Sequence, residues 1–389
     1  MTKKRFNLNF FVITLIIFTT PAVLISQNLP DNHYFPVPVE ILDTIESNDQ
    51  KFQIDLVVPD LNVPWGMAFL PDGRVLITER SGDLRLVKDG KLLPGSVSGV
   101  PQVQARGQGG LLDVELHPNY EENGWIYFSY SYTASGGTST AIMRAKLQEN
   151  SLVDQEVIFE AQPATNRVHH FGSRIVFDSD GYLYFSIGDR GEMNSAQDLS
   201  THSGGVFRLY DDGRVPDDNP FVNRRDARPE FWTYGNRNIQ GMTVHPETGE
   251  IWSHEHGPRG GDEINIIEIG MNYGWPEITY GINYNGSIIT EDTAKAGMEQ
   301  PLHYWDPSIA PSGMDFVYSD RYPNWKGDLM VGSLSFQYLH RVKLDGRKVI
   351  SEEELMKGIG RVRSVKLAPD GFLYAGIENL GIVRLIPVE

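Results

Sequence analysis

The sequence predicts an all-β fold, a six-bladed β-propeller with four-stranded antiparallel blades. Three observations predict it. One strand–turn–strand unit recurs six times, starting at residues 66, 113, 174, 242, 314 and 364. Most copies are followed by one further short apolar strand. The chain also carries 39 Gly and 23 Pro, which favour many turns over long helices.

In order, the units are GMAFLPDGRVLIT, DVELHPNYEENGWIYFSY, RIVFDSDGYLYFSIG, MTVHPETGEIWSHE, MDFVYSDRYPNWKGDLMVGS and SVKLAPDGFLYAGI. In each, apolar residues alternate on both sides of a polar turn, the period of paired antiparallel strands. The trailing strands are DLRLV, AIMRAKL, EINIIEI, YLHRVKL and IVRLIP. A unit repeated at this spacing has room for about four strands. Radial closure leaves few exposed sheet edges, so extensive strand is tolerated without disulfides. A β-sandwich with insertions is the alternative, but a sandwich would not repeat one hairpin six times. The long gaps between units read as loops, which in a propeller build a site on one face.

The 389 residues suffice for one large all-β domain or for two or three smaller ones. Cysteine is absent, which excludes disulfides, thiol catalysis, iron–sulfur ligation and covalent c-type haem. The formal charge of −17 repels phosphate backbones and argues against nucleic acid as a partner. Lys3, Lys4 and Arg5 precede an apolar run from Phe10 to Ile25, and Ser26 marks a plausible cleavage point. This predicts a signal peptide over residues 1–26 and a periplasmic or secreted location. A membrane anchor is the rival reading, for which the run is short. Residues 27–50, rich in Asn, Asp and Pro, read as a linker, and 51–389 as the propeller.

Four constellations beside these hairpins carry candidate chemistry. His170 precedes the third hairpin and Asp189 follows it, so the returning chain can bring them into contact as an oriented base. His169 is the rival for that role, since successive residues of an extended chain point opposite ways. Gln108 lies in the Gly-rich run ARGQGGLLDV, where backbone can approach a ligand or simply turn between blades. Arg237 and Asn238 stand between Gly235 and Gly241, where an Arg can hold a carboxylate or an oxyanion in bidentate fashion, or make an interblade ion pair. The run SHEHGPRGGDEIN holds His254, Glu255, His256, Asp262 and Glu263. Its Gly257-Pro258 loop presents backbone carbonyls, which favours calcium over a transition metal. Arg361 and Arg363, two apart on a strand, face one side and imply an anionic ligand or a carboxylate neighbour.

As an ordered set, PWGMAFLPDGRVLITER, GQGGLLDVELHP, HFGSRIVFDSDGYLYFSIGDRG, YGNRNIQGM, HEHGPRGGDEINII, NYGWPEITYG and WDPSIAPSGM resemble one family. It is the soluble quinoprotein glucose/sorbosone dehydrogenase family, and within it the periplasmic aldose sugar dehydrogenases. The resemblance covers about residues 52–388. It implies a propeller binding pyrroloquinoline quinone (PQQ) through Ca²⁺ and oxidising an aldose at C1 to the lactone. By the same resemblance, His170 is the general base, Asp189 orients it, and Arg237 polarises the quinone. Gln108, Arg237, Asn238, Arg361 and Arg363 are the implied PQQ ligands. The carbonyls of Gly257 and Pro258 are the implied calcium ligands, and Tyr304 and Trp305 an aromatic wall for the sugar. The implied partners are the sugar and an unidentified electron acceptor, with the protein a monomer or a homodimer. One position departs from the family pattern: Ser335 stands where the family places a Lys. A calcium-dependent hydrolytic propeller of lactonase type and a non-catalytic binding propeller are the other classes these residues allow.

Overall fold

Six innermost strands surround one axis, and each begins a predicted unit. They are Pro64–Phe69, Leu111–Leu116, Ile175–Phe177, Ile239–Val244, Pro311–Phe316 and Val362–Leu367. The computed structural model describes residues 34–388, and the predicted signal peptide lies outside them. Five sheets are four-stranded and antiparallel, and each follows chain order across the blade. The third blade, for example, runs Ile175–Phe177, Leu183–Ile187, Gly205–Leu209, Phe231–Tyr234. The predicted six-bladed propeller is the observed architecture.

The sixth blade closes the ring. Its inner three strands, Val362–Leu367, Leu373–Ile377 and Gly381–Val388, come from the C-terminal end, and its fourth, Lys51–Pro59, comes from the N-terminal end. A fifth strand, Glu40–Glu46, pairs outside it, so the segment read as a linker is partly strand. Tyr34 and Phe35 are also buried in that segment, against Phe69 and Tyr374. The strand escapes a sequence reading because it is an edge held by backbone bonds. All its side chains are exposed or half-buried, so no apolar alternation marks it.

Adjacent blades are stitched by hydroxyls. Thr78, Ser129 and Ser186 occupy equivalent positions on second strands and donate to the carbonyls of Leu112, Ser173 and Ile239 of the next blade. In the last two blades glycine takes that position, as Gly332 and Gly376, and the donor moves to the innermost strand. Ser312 donates to the Val362 carbonyl and Ser364 to that of Pro64. A Cβ on Gly376 would sit 2.3 Å from the Ser364 hydroxyl, so the two changes require each other. Gly313 also permits a close approach between blades. Its missing Cβ leaves room for the Val365 amide, 2.5 Å from where that atom would be.

Register shifts occur near the first residues of five innermost strands, at Pro64/Gly66, Leu111/Val114, Ile239/Gly241, Pro311/Met314 and Val362/Ser364. Bulges bend a strand and re-aim its side chains. Here they lie at the end of the axis where the candidate residues gather.

Closure rests on a buried ion pair. Arg384 donates to Asp55 at 2.9 Å and to the Phe35 carbonyl at 2.8 Å, and both charged side chains are 1% exposed. Asp55→Ala leaves a buried guanidinium without its carboxylate and should cost about 3–5 kcal/mol of folding stability. Urea denaturation of the variant checks this, and a loss under ~1 kcal/mol would show that closure does not depend on the pair.

Candidate active site

His170 and Asp189 meet at the top of the third blade, with His170 Nδ1 2.6 Å from Asp189 Oδ1. The hairpin between them delivers this contact, as its two ends suggest. His170 has φ 56°, a left-handed conformation uncommon for a non-glycine residue. Gln108 holds it there, its Oε1 accepting the His170 amide at 2.7 Å. Asp189 is fully buried and also accepts from the Gly191 amide at 2.7 Å and from Trp275 Nε1 at 2.8 Å.

With Nδ1 committed to a carboxylate, the ring carries its proton there and leaves Nε2 as the free lone pair. Burial lowers the His170 pKa below its ordinary 6.5. The Asp189 bond pulls it back up, and the Arg237 charge adds to the lowering. Burial pushes the Asp189 carboxyl up, but the His170 bond, the nearby charges and the Gly191 amide outweigh it, and the net shift is downward. The result is a neutral imidazole beside an ionised carboxylate. His169 packs edge-on to His170 at 4.8 Å and lies over Gly191, where a Cβ would stand 2.1 Å from its Nε2. It is the neighbour of the pair and does not bond to Asp189.

Arg237 links this pair to the fourth blade. Its carbonyl accepts the Asp189 amide at 2.8 Å and its own amide donates to the buried Glu255 carboxylate. Its guanidinium donates to the carbonyls of His256 at 2.9 Å and Gly257 at 3.1 Å, and lies 5.3 Å from the Trp275 ring centre. Asn238 Oδ1 accepts the Gly172 amide at 3.2 Å, while its Nδ2 is buried with no partner.

The Gly257-Pro258 loop is pinned from behind by Asp262. That carboxylate accepts the Gly257 amide at 2.7 Å, the Ser308 hydroxyl at 2.7 and 2.8 Å, and the Ala310 amide at 2.9 Å. Burial pushes its pKa up to about 6. The two histidines of this run do not join a metal cluster. His254 is buried against Gly241, and His256 Nε2 bonds to the Pro311 carbonyl at 2.6 Å. Burial lowers both, His256 to about 3. Among the described residues no three His, Cys, Asp or Glu side chains converge on a metal position.

A cavity of about 390 Å³ opens beside these groups, within the usual size of a small-ligand site. Gln108, Gln240, His256, Arg361 and Arg363 line it, together with Trp65, Arg80 and Glu378. Arg361 and Arg363 share the Glu378 carboxylate, through Arg361 Nε at 2.7 Å and Arg363 Nε at 2.9 Å. Of the two readings open for this Arg pair, the structure supplies the carboxylate neighbour, and one carboxylate leaves two guanidinium charges half-compensated. Beneath the cavity, Arg174 lies 4.0 Å over the Trp65 ring and pairs with Asp113 at 3.0 Å.

Tyr304 and Trp305 do not line this cavity. They are adjacent on a strand and face opposite ways. Trp305 is buried between the fourth and fifth blades, with Nε1 donating to Glu352 at 2.6 Å, and lines a separate cavity with Tyr338 and His340. Tyr304 is half-exposed and stacks on Tyr280 at 3.9 Å. Ser335 is exposed, its amide on the Ile309 carbonyl at 3.1 Å. The sequence reading missed Trp275 and Glu378. Each follows a predicted hairpin or motif, but only folding shows that one reaches Asp189 and the other the Arg pair.

A buried His/Asp pair, a guanidinium-lined cavity and a loop of backbone carbonyls thus come together at one end of the propeller. Residues 61–384 match the family described as Glucose / Sorbosone dehydrogenase. Aldose sugar dehydrogenase YliI of Escherichia coli (strain K12) is 42% identical over 88% of this chain and 94% of its own. The crystal structure of the soluble aldose sugar dehydrogenase from Escherichia coli, in the apo-form, superposes with TM-score 0.83 at 40% identity, covering 87% of this chain and 100% of that one. The PQQ-bound form of aldose sugar dehydrogenase from Streptomyces coelicolor superposes with TM-score 0.70 at 26% identity, covering 90% and 98%. The chain belongs to the glucose/sorbosone dehydrogenase family and is an oxidoreductase.

The His170 environment is open to direct measurement. Its imidazole Cε1 proton should titrate below pH 6.5 in NMR. Asp189→Asn removes the contact that raises this pKa, so the midpoint should fall further. An upward move would show that Asp189 does not stabilise the imidazolium.

Proposed function

We propose that this chain oxidises an aldose at its anomeric carbon to the lactone, using PQQ held through calcium, with His170 as the base. The observation that carries the reading is the His170–Asp189 contact beside a cavity walled by Arg361 and Arg363. A lactonase would use the His/Asp pair and calcium but has no need of that guanidinium wall.

The residues present fit the cofactor. The buried Asn238 Nδ2 lacks a partner and the cavity offers cationic walls, which suit an acceptor-rich polyanion. Gln108, Arg237, Asn238, Arg361 and Arg363 would hold it. The Gly257 and Pro258 carbonyls would hold the calcium, as hard-cation oxygen ligands. The Gly257 carbonyl accepts an Arg237 N–H here and has a second lone pair to offer.

Held there, PQQ would supply the hydride acceptor for C1 and calcium a Lewis acid. The chain's own residues supply the rest. Nε2 of His170 takes the proton from the C1 hydroxyl, a contribution of roughly 10²–10⁴ in rate. Asp189 keeps the other ring proton on Nδ1 and stabilises the imidazolium, while Trp275 and Gly191 keep Asp189 ionised and oriented. Arg237 adds fixed positive charge where negative charge develops. An external acceptor must then take the electrons. A periplasmic or secreted location follows from the leader sequence, and no described helix is long and apolar enough to cross a membrane.

PQQ with Ca²⁺ should raise the melting temperature of the apoprotein, measured by calorimetry. His170→Ala should retain that shift but lose aldose-dependent dye reduction by roughly 10²-fold or more. Wild-type turnover by the variant would remove His170 from the role. A protonated His170 cannot accept a proton, so kcat/KM should fall as pH drops, with its midpoint below 6.5. A midpoint above 7 would contradict the assignment.

A further inference from the structure

Three guanidinium groups line the cavity, and Arg80 is the one with no assigned partner chemistry. Arg80 follows the strand Val75–Glu79 of the first blade, at the same end of the axis as His170. Its backbone is fixed on both sides, with its amide on the Val63 carbonyl at 3.1 Å and its carbonyl accepting the Leu111 amide at 3.3 Å. Its guanidinium donates to the Gly107 carbonyl, next to Gln108. Among the described residues, no carboxylate forms an ion pair with it, whereas Arg361 and Arg363 share Glu378. The charged groups on the cavity wall are therefore three guanidiniums and one carboxylate, with His256 held neutral by burial. In a chain of net charge −17, an unpaired cation on a cavity wall implies an anion that is to arrive.

The placement gives this charge a direction. Arg80 belongs to the first blade and Arg361 and Arg363 to the sixth, which are neighbours in the ring. Gly257 and Pro258 belong to the fourth, across the axis from the first. Arg80 thus faces the Gly257-Pro258 loop, and the Arg237 guanidinium bonded to it, from the opposite side of the axis. PQQ carries three carboxylates, and apart from Arg237 on the far side the wall meets them with Arg361 and Arg363, already engaged by Glu378, and with Arg80.

Resting on the cofactor reading above, we propose that Arg80 is a third anion-binding guanidinium of the cavity wall, which turns from the Gly107 carbonyl to a carboxylate of PQQ. The test is a titration of PQQ into wild-type apoprotein, R80Q and R80K, with Ca²⁺ present and sugar absent, followed by the absorbance of bound cofactor. R80Q should raise Kd by roughly tenfold or more, the loss of one charge-assisted hydrogen bond, and R80K should fall between the two. The trimethyl ester of PQQ should bind wild type and R80Q alike, because the charge that Arg80 reads has been removed. Apoprotein melting temperatures of the variants accompany the titrations. If R80Q melts early, the comparison of R80K with wild type on acid and ester carries the result. R80Q within about twofold of wild type overturns the inference while leaving the cofactor reading intact. An equal loss for acid and ester also overturns it, since Arg80 would then only shape the Gly107–Gln108 turn. No saturable PQQ binding by wild type would remove the cofactor reading, and this inference with it.

Discussion

Everything in this molecule depends on six innermost strands meeting around one axis, where the polar groups each blade presents to the next must find partners. Hydroxyls solve that problem at five of the six blade contacts, while the fourth blade carries His254 at the equivalent position. Thr78, Ser129 and Ser186 donate across to the next blade, and where Gly332 and Gly376 replace them, Ser312 and Ser364 donate from the inner strand instead. A buried carbonyl without a donor costs free energy on the scale of the hydrogen bond it lacks. The exchange of donor between strands shows that the bond matters more than which residue provides it.

The same convergence creates the site. Each innermost strand starts at one end of the axis, and five of the six are irregular there. Loops from the second, third, fourth and sixth blades therefore bring Gln108, His170, Arg237, Gly257 and Arg363 into one neighbourhood. Their roles separate by environment. The imidazole at 170 is kept neutral by burial and oriented by a carboxylate that is itself kept ionised. Behind the loop at 257, Asp262 accepts from the Gly257 and Ala310 amides and the Ser308 hydroxyl, and so fixes the start of the loop whose Gly257 carbonyl meets Arg237. An acidic chain thus encloses a basic cavity, which is where a small polyanion would be drawn.

Much of this was legible in the sequence. The hairpin period, repeated six times, identified the blades, because alternation reports which face of a strand is buried. The chemistry-bearing clusters were visible because Gly-rich loops and paired cations are unusual next to strands. What escaped notice had no such pattern. Glu40–Glu46 is an edge strand without a buried face. Which way Tyr304 and Trp305 face was likewise not legible, because a shift of one residue on a strand reverses the side chain. Trp275 acts on a residue 86 positions away in the chain, and Glu378 lies just past a hairpin whose register sets which arginines it meets.

By itself, then, the amino-acid order determined the repeating element, the all-β class, the family and the residues able to carry charge or protons. Those properties are local, set by side-chain period, turn chemistry and residue type. Only the closed ring decided which of those residues touch across blades: that Asp189 is gripped by Trp275, that Arg237 reaches the Gly257 carbonyl, and that among the described residues Arg80 is left without a counter-charge. Such contacts depend on where distant blades come to rest against each other, which is a consequence of packing around an axis and has no trace in local sequence.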